Sequence, residues 1–356
     1  MLAERDAMPD RLPPGFSYVE GEPVFDAARH LMLEKPAQSW SLEDVGYDPA
    51  RIGQYASPVA LLAPVRLLTD EGVAALQQAI EACMPRSHAD QGRARRLHYC
   101  TYHSRFIHDL MHSVEVTDWL SGIFQTPIAP HTMPHLGSQL NLGHDEPGKD
   151  IVPWHHDRVS FTMVLSMYDP SKVRGGRFEY FFGTREEAKE ILDEAGDLPR
   201  NRIVSPACMP GTACLMQGSA IMHRGAPMEA PGYRASLVHS YCARDLSLPD
   251  ANRTYFTGSR FGVPEGQVSP VFTEWARHKA WVSRAKLGTL MEELPFTEDR
   301  TAIIAALREG IADVQGAIAR LEEGEVSRER MREQYVRDDE LQMATPPFMP
   351  GHTAKG

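Results

Sequence analysis

From about residue 132 to 243 the chain is cut into short β-prone runs by turn residues, and this punctuation limits the folds open to it. The runs span 135–142, 154–168, 176–182, 203–206, 212–217, 222–226 and 233–243. Gly143, Asp145-Glu146-Pro147-Gly148, Gly175-Gly176, Pro210-Gly211 and Pro231-Gly232 divide them. Many short strands joined by Gly and Pro turns predict a sandwich or jelly roll. A helix at 184–195, with Arg185, Glu186, Glu187 and Lys189 on its wet face, breaks in as an insertion between strands.

The flanks read differently. Residues 1–60 are rich in Pro and Gly and predict an irregular arm with one short helix near 26–33. Residues 61–130 predict a helical region packed on the sheet. Thr69-Asp70-Glu71 supplies a capping hydroxyl and first-turn acids for a helix to about Cys83, and helices follow at 104–112 and 114–124. The core is expected over 131–245. Residues 246–356 predict a loop and then a helical extension. There Ile304, Leu307, Ile311, Val314, Ile318 and Leu321 form a stripe at heptad spacing. It suits packing against the chain's own body, against a second helix at 327–341, or against a second copy in a homodimer. Residues 346–356 look frayed. The fold class is therefore mainly β with flanking helices.

Composition excludes several functions. The 356 residues are 42% hydrophobic, ordinary for a globular protein. The formal charge of −11 argues against a nucleic-acid surface, which wants clustered cations. Arg93, Arg95 and Arg96 form the one basic knot before the core, read as a solvated loop. Five cysteines, Cys83, Cys100, Cys208, Cys214 and Cys242, show no C-x-x-C spacing, so a reduced cytoplasmic chain is expected. No signal peptide and no membrane span are visible.

Two segments carry chemistry: Trp154-His155-His156-Asp157, and Met222-His223-Arg224-Gly225 followed by Arg234-Ala235-Ser236. In an extended strand, residues two apart point the same way. His155 and Asp157 can therefore reach one metal, with His223 completing a 2-His-1-carboxylate set that leaves positions open. Pro231-Gly232 marks a turn after the His223 strand, so the return strand brings Arg234 back beside the metal. A guanidinium there can bind a carboxylate through two parallel hydrogen bonds, and Ser236 can add a third.

These residues, with Gly175-Gly176-Arg177-Phe178-Glu179-Tyr180, resemble the Fe(II)/2-oxoglutarate-dependent dioxygenase superfamily over about residues 130–245. The resemblance implies a double-stranded β-helix, a cupin-like jelly roll. It implies iron ligated by His155, Asp157 and His223, which are also the catalytic residues. It implies 2-oxoglutarate anchored by Arg234 and Ser236, and dioxygen as the third reactant, with succinate and CO2 released. Related halogenases carry Gly or Ala where Asp157 stands, so hydroxylation, desaturation or oxidative ring closure is expected in place of halogenation.

Gln139 and Asn141 alternate on the strand before the metal motif and, with Arg158 and Ser240, are the candidate substrate contacts. Trp154 reads as a core residue beside His155. The expected substrate is a small polar metabolite, an amino acid or natural-product precursor, by similarity to a branch that oxidises such molecules. The alternatives are a CoA- or carrier-bound substrate, as in phytanoyl-CoA hydroxylases, and a non-catalytic metal-binding cupin. Arg234 and Ser236 speak against the cupin, which needs no 2-oxoglutarate anchor. A nucleic-acid demethylase is disfavoured by the charge.

Overall fold

The computed structural model describes residues 11–89, 94–144, 146–248, 250, 252, 263 and 265–324. Two antiparallel sheets face one another. The larger runs in the order Ser39–Ser41, Val59–Leu62, Thr212–Met216, Phe161–Ser166, Ala235–Ala243, Ser138–Leu142, Arg96–His98. Val65–Arg66 pairs with Thr212–Met216, and Ile128–Pro130 with Ala235–Ala243. The smaller runs Ile203–Val204, Phe178–Phe181, His223–Pro227, Asp150–His155. This is the jelly-roll core expected from the turn punctuation, with helices outside it.

Period-two alternation assigns the two faces of the larger sheet. Leu237 and Tyr241 point outward with Leu140, Met163 and Leu165. They pack against Leu76, Ile80, Phe106, Leu110, Leu120 and Phe124 from the helices Asp70–Cys83, Arg105–His112 and Val114–Phe124. Each such side chain contributes about 1.5–3 kcal/mol on burial. The helix starts are legible because hydroxyls cap them: Thr69 Oγ1 accepts from Gly72 N at 2.9 Å and Ser104 Oγ from Ile107 N at 3.0 Å. Thr184 caps Arg185–Ala195 in the same way.

Several expectations need correction. The run 154–168 is two strands, Asp150–His155 and Phe161–Ser166, in different sheets, with the loop carrying Asp157 between them. Ser39–Ser41, Val59–Leu62, Val65–Arg66, Arg96–His98 and Ile128–Pro130 join the larger sheet from regions read as arm or helical. Strands of two to four residues are too short to show a period. Arg95 donates to Ser87 O, and Arg96 reaches Ile151 O, so these members of the basic knot tie segments together. Arg93 lies outside the described residues.

After the core comes a helix missed in the sequence, Val271–Glu293, which pairs with Arg300–Glu322. The pair meets through Gly310, against Leu287 and Leu290, and through Asp313 with Lys286 at 2.7 Å. The heptad stripe faces elsewhere: Ile304, Leu307, Ile311, Ile318 and Leu321 are exposed among the described residues. The helix expected at 327–341, the tail 346–356 and Asp145 lie outside them. Among the described residues no helix is long and apolar enough to cross a membrane, and all five cysteines are free and buried.

Candidate metal centre

His155 ends its strand, and His223 begins the next one along, directly opposite in register. The pairing slips by one residue between His223 and Gly225. Asp157 follows in the loop, its N–H donating to Gly218 O at 2.9 Å. Candidate ligand atoms of His155, Asp157 and His223 all lie within 4.8 Å of one another. Nε2 of His155 is 3.5 Å from Asp157 Oδ1, and Nε2 of His223 is 3.4 Å from Oδ2.

The imidazoles are oriented from behind. Nδ1 of His155 bonds Pro153 O at 2.8 Å and Nδ1 of His223 bonds Ile221 O at 2.9 Å. A carbonyl accepts only, so each Nδ1 carries the proton and each Nε2 lone pair points at the shared point; this is the usual outer support of a metal-binding histidine. Burial pushes the Asp157 carboxyl up, but the charge of His223 and hydrogen bonds from both histidines hold it well below the usual range. Burial lowers His155, with His223 adding to the effect. Burial also opposes protonation of His223, yet the Asp157 carboxylate raises it overall.

Two residues that the sequence reading missed shape the carboxylate. Thr162 Oγ1 donates to Asp157 Oδ2 at 2.5 Å. Gly218 lies so close that a Cβ there would sit 2.3 Å from Thr162 Oγ1 and 2.6 Å from Asp157 Oδ2. The signal for Gly218 was a glycine just past a strand end, a mark of close approach. Thr162 gave none beyond being near Asp157.

A cavity of about 430 Å³ opens beside this cluster, between the two sheets. Gln139, Asn141, Arg234 and Ser236 line it together with His155, Asp157, Thr162 and His223. Arg234 reaches the cavity from the larger sheet, whereas His223 stands on the smaller one, so the turn between them crosses sheets. Arg234 is 3% exposed and has no carboxylate partner among the described residues. Nε donates to Gly176 O at 2.9 Å, Nη1 to Asn141 O at 3.1 Å, and the guanidinium lies 5.3 Å from the Tyr168 ring centroid. Burial pushes its pKa down, while Tyr168 works the other way. Gly175 and Gly176 both have positive φ, and a Cβ on Gly176 would meet Met228 Sδ at 2.5 Å, so this turn can present its carbonyl to Arg234 only as glycine. Asn141 Oδ1 is buried in the same cavity without a hydrogen-bond partner.

Arg158 and Ser240 are not among the residues lining the cavity. Ser240 sits one same-face step beyond Val238, beside Thr162, and Arg158 follows Asp157 on the loop. Trp154 packs under the Arg224 guanidinium at 4.6 Å and donates to Asp197 Oδ1, away from the metal cluster.

The residues fit the groups that the sequence implies. Two imidazoles and a carboxylate are the donor set of open non-haem iron sites. A buried guanidinium lacking an acid suits a dianion such as 2-oxoglutarate. The family model for Halogenase D matches residues 75–254. The chain belongs to that family. Membership bears out the resemblance to the Fe(II)/2-oxoglutarate-dependent dioxygenase superfamily and makes the chain an enzyme of that class.

Among solved structures, the chain is similar to AviO1 from Streptomyces viridochromogenes Tue57, at 18% identity and a TM-score of 0.40, over 55% of this chain and 95% of that one. It is similar to HygX from Streptomyces hygroscopicus with nickel, 2-oxoglutarate and hygromycin B bound, at 14% identity and a TM-score of 0.36, over 57% of this chain and 90% of that one. It is also similar to EctD from S. alaskensis with 2-oxoglutarate and 5-hydroxyectoine, at 16% identity and a TM-score of 0.38, over 65% and 86%. No curated protein matches the sequence.

Proposed function

We propose that the chain is an Fe(II)/2-oxoglutarate-dependent oxygenase that hydroxylates, desaturates or oxidatively cyclises a small polar metabolite. The observation that carries this is a metal-competent His-Asp-His cluster and a buried, acid-free Arg234 sharing one cavity. A metal-storing cupin has no use for the second feature, because a buried cation without a partner is destabilising unless a ligand supplies the anion.

His155, Asp157 and His223 would hold the iron. Iron with 2-oxoglutarate and dioxygen supplies the oxidising chemistry, releasing succinate and CO2. Arg234 would clamp the distal carboxylate of 2-oxoglutarate, with Ser236 adding a hydroxyl contact. Gly176 and Tyr168 hold the guanidinium in place, so little side-chain freedom is lost on binding. Thr162 would hold the Asp157 carboxylate turned toward the histidines. Val164, Val238 and Phe178 line the remaining wall and exclude water.

The family's name describes a halogenase, which places a halide where Asp157 stands here. In this chain the carboxylate fills that space against Gly218 and Thr162, which supports oxygen transfer. The test is succinate formation with iron, ascorbate and 2-oxoglutarate across amino acids, nucleosides and acyl thioesters. A product heavier by one oxygen, or lighter by two hydrogens, supports the reading. Iron binding without any succinate would restore the cupin alternative, and a response to thioesters alone would move the substrate to the carrier-bound class.

A further inference from the structure

Helix Arg300–Glu322 is packed along one side. Gly310 meets Leu287 and Leu290, Asp313 pairs with Lys286, and Ala317 is buried in a cluster with Phe16 and Trp275. The adjoining stripe at heptad spacing stays open. Ile304, Leu307, Ile311, Ile318 and Leu321 are 36–51% exposed among the described residues, and Val314 is half-buried between them. At 1.5 Å per residue the stripe runs about 26 Å. Single apolar residues on a surface are ordinary, but a continuous row of this length marks a contact.

The stripe reads the same from either end. Its members stand three, four, three, four and three residues apart. Two copies laid antiparallel therefore set Ile304 on the partner's Leu321, Leu307 on the partner's Ile318, and Ile311 on the partner's Val314, with a two-fold axis between Ala312 and Asp313. A surface that binds its own copy about a two-fold needs this self-complementarity. The row on the solvent side of the stripe carries Arg308, Gln315 and Glu322, seven residues apart and all exposed. Helical side chains lean toward their own N-terminus. In the antiparallel pair Arg308 and the partner's Glu322 lean toward each other, and Gln315 meets the partner's Gln315 at the axis. A parallel pair would instead oppose this row to Ile303, Gly310 and Ala317, and the chain's own body already covers Gly310 and Ala317. Residues 327–341 of the same chain make a poorer occupant: they offer Met331, Tyr335, Val336 and Leu341 against six apolar positions.

We propose that this stripe is the contact between two copies of the chain, joined as an antiparallel pair of their Arg300–Glu322 helices. The apolar rows close the seam, and Arg308, Gln315 and Glu322 rim it on the open side. A seam this long lies at the small end of specific interfaces, so the dimer forms and dissociates with concentration. The ion pairs set register more than strength, because exposed pairs contribute little.

The test is sedimentation velocity of the full chain across a dilution series. The wild type shifts from monomer to dimer as concentration rises. Ile311→Glu brings like charges to the centre of the seam and leaves a monomer throughout. Its melting temperature and iron affinity match those of dilute wild type, which reports an intact fold, since Ile311 is open in the single chain. Arg308→Glu and Glu322→Arg each set like charges opposite one another and weaken the dimer about tenfold. The double variant restores opposite charges in the same register and recovers wild-type association. A wild type that stays monomeric into the millimolar range overturns the proposal. A dimer that survives Ile311→Glu overturns it too, by placing the contact on another face. If the double variant associates no better than either single one, the antiparallel register is wrong and the proposal falls with it.

Discussion

Thr162 Oγ1 donates to Asp157 Oδ2 at 2.5 Å, fixing the one carboxylate of the metal cluster from the opposite sheet. Outer hydrogen bonds of this kind typically alter metal affinity or activity about 10–100-fold. Thr162→Val keeps the shape and removes the donor. Iron affinity, measured by competition with a chelator, is expected to fall within that range, and Thr162→Ser is expected to restore most of it. Equal affinity in Thr162→Val and wild type would show that the hydroxyl plays no part.

Gly218→Ala places a methyl group 2.6 Å from Asp157 Oδ2 and 2.3 Å from Thr162 Oγ1. Neither atom can stay. Displacing the carboxylate is expected to weaken iron binding more than Thr162→Val does, because both contacts are lost together. Circular dichroism should show a folded chain. A folded Gly218→Ala protein with ordinary iron affinity would mean that the loop gives way without disturbing Asp157.

Arg234→Ala removes a guanidinium held by Gly176 O and Asn141 O in a buried site. Truncating one member of a buried charge pair costs about 2–5 kcal/mol. At about 1.4 kcal/mol per decade, the apparent affinity for 2-oxoglutarate should drop between tenfold and a few thousandfold. Iron binding should survive, since the hydrogen bonds of Arg234 run to Gly176 O and Asn141 O and not to the metal cluster. A cosubstrate titration indistinguishable from wild type would move the anchor to another residue.

Asp250 ties the C-terminal helix pair to the core through His278 and Lys279. Burial pushes its carboxyl up, but the attraction of His278 and Lys279 and their hydrogen bonds hold it well below the usual range. A carboxyl lowered on folding contributes stability above its unfolded pKa, about 4, and loses that contribution as pH falls through the folded value. Asp250→Asn leaves Lys279 buried with a weakened partner set, at a cost of about 3–5 kcal/mol near neutral pH. Calorimetric melting temperatures taken downward from pH ~6 should therefore converge between variant and wild type as acid strips the wild-type charge. A gap that stays constant with pH would show that Asp250 does not titrate on unfolding.

The sequence by itself determined the local events. Turn pairs, alternation and capping hydroxyls are short-range physics, so the core runs 176–182, 212–217 and 233–243, and the helices capped by Thr69, Ser104 and Thr184, were legible residue by residue. The metal cluster was legible as a set of residues, but not by the expected geometry: Asp157 lies in the loop after strand Asp150–His155, and Arg234 leads into the sheet opposite that of His223.

Tertiary structure decided the rest. The division of 154–168 between two sheets depends on which partner each half finds, and no Gly or Pro within the run marks the break. The two-to-four-residue strands at the rim gain their identity only from the sheet they join. Gly218, Gly176 and Tyr168 act through contacts between segments far apart in the chain. The heptad stripe from Ile304 to Leu321 showed a helix but not its packing face, because Gly310 and Asp313 make the closer fit to Val271–Glu293. Periodicity reports that a face exists; only packing reports which one is buried.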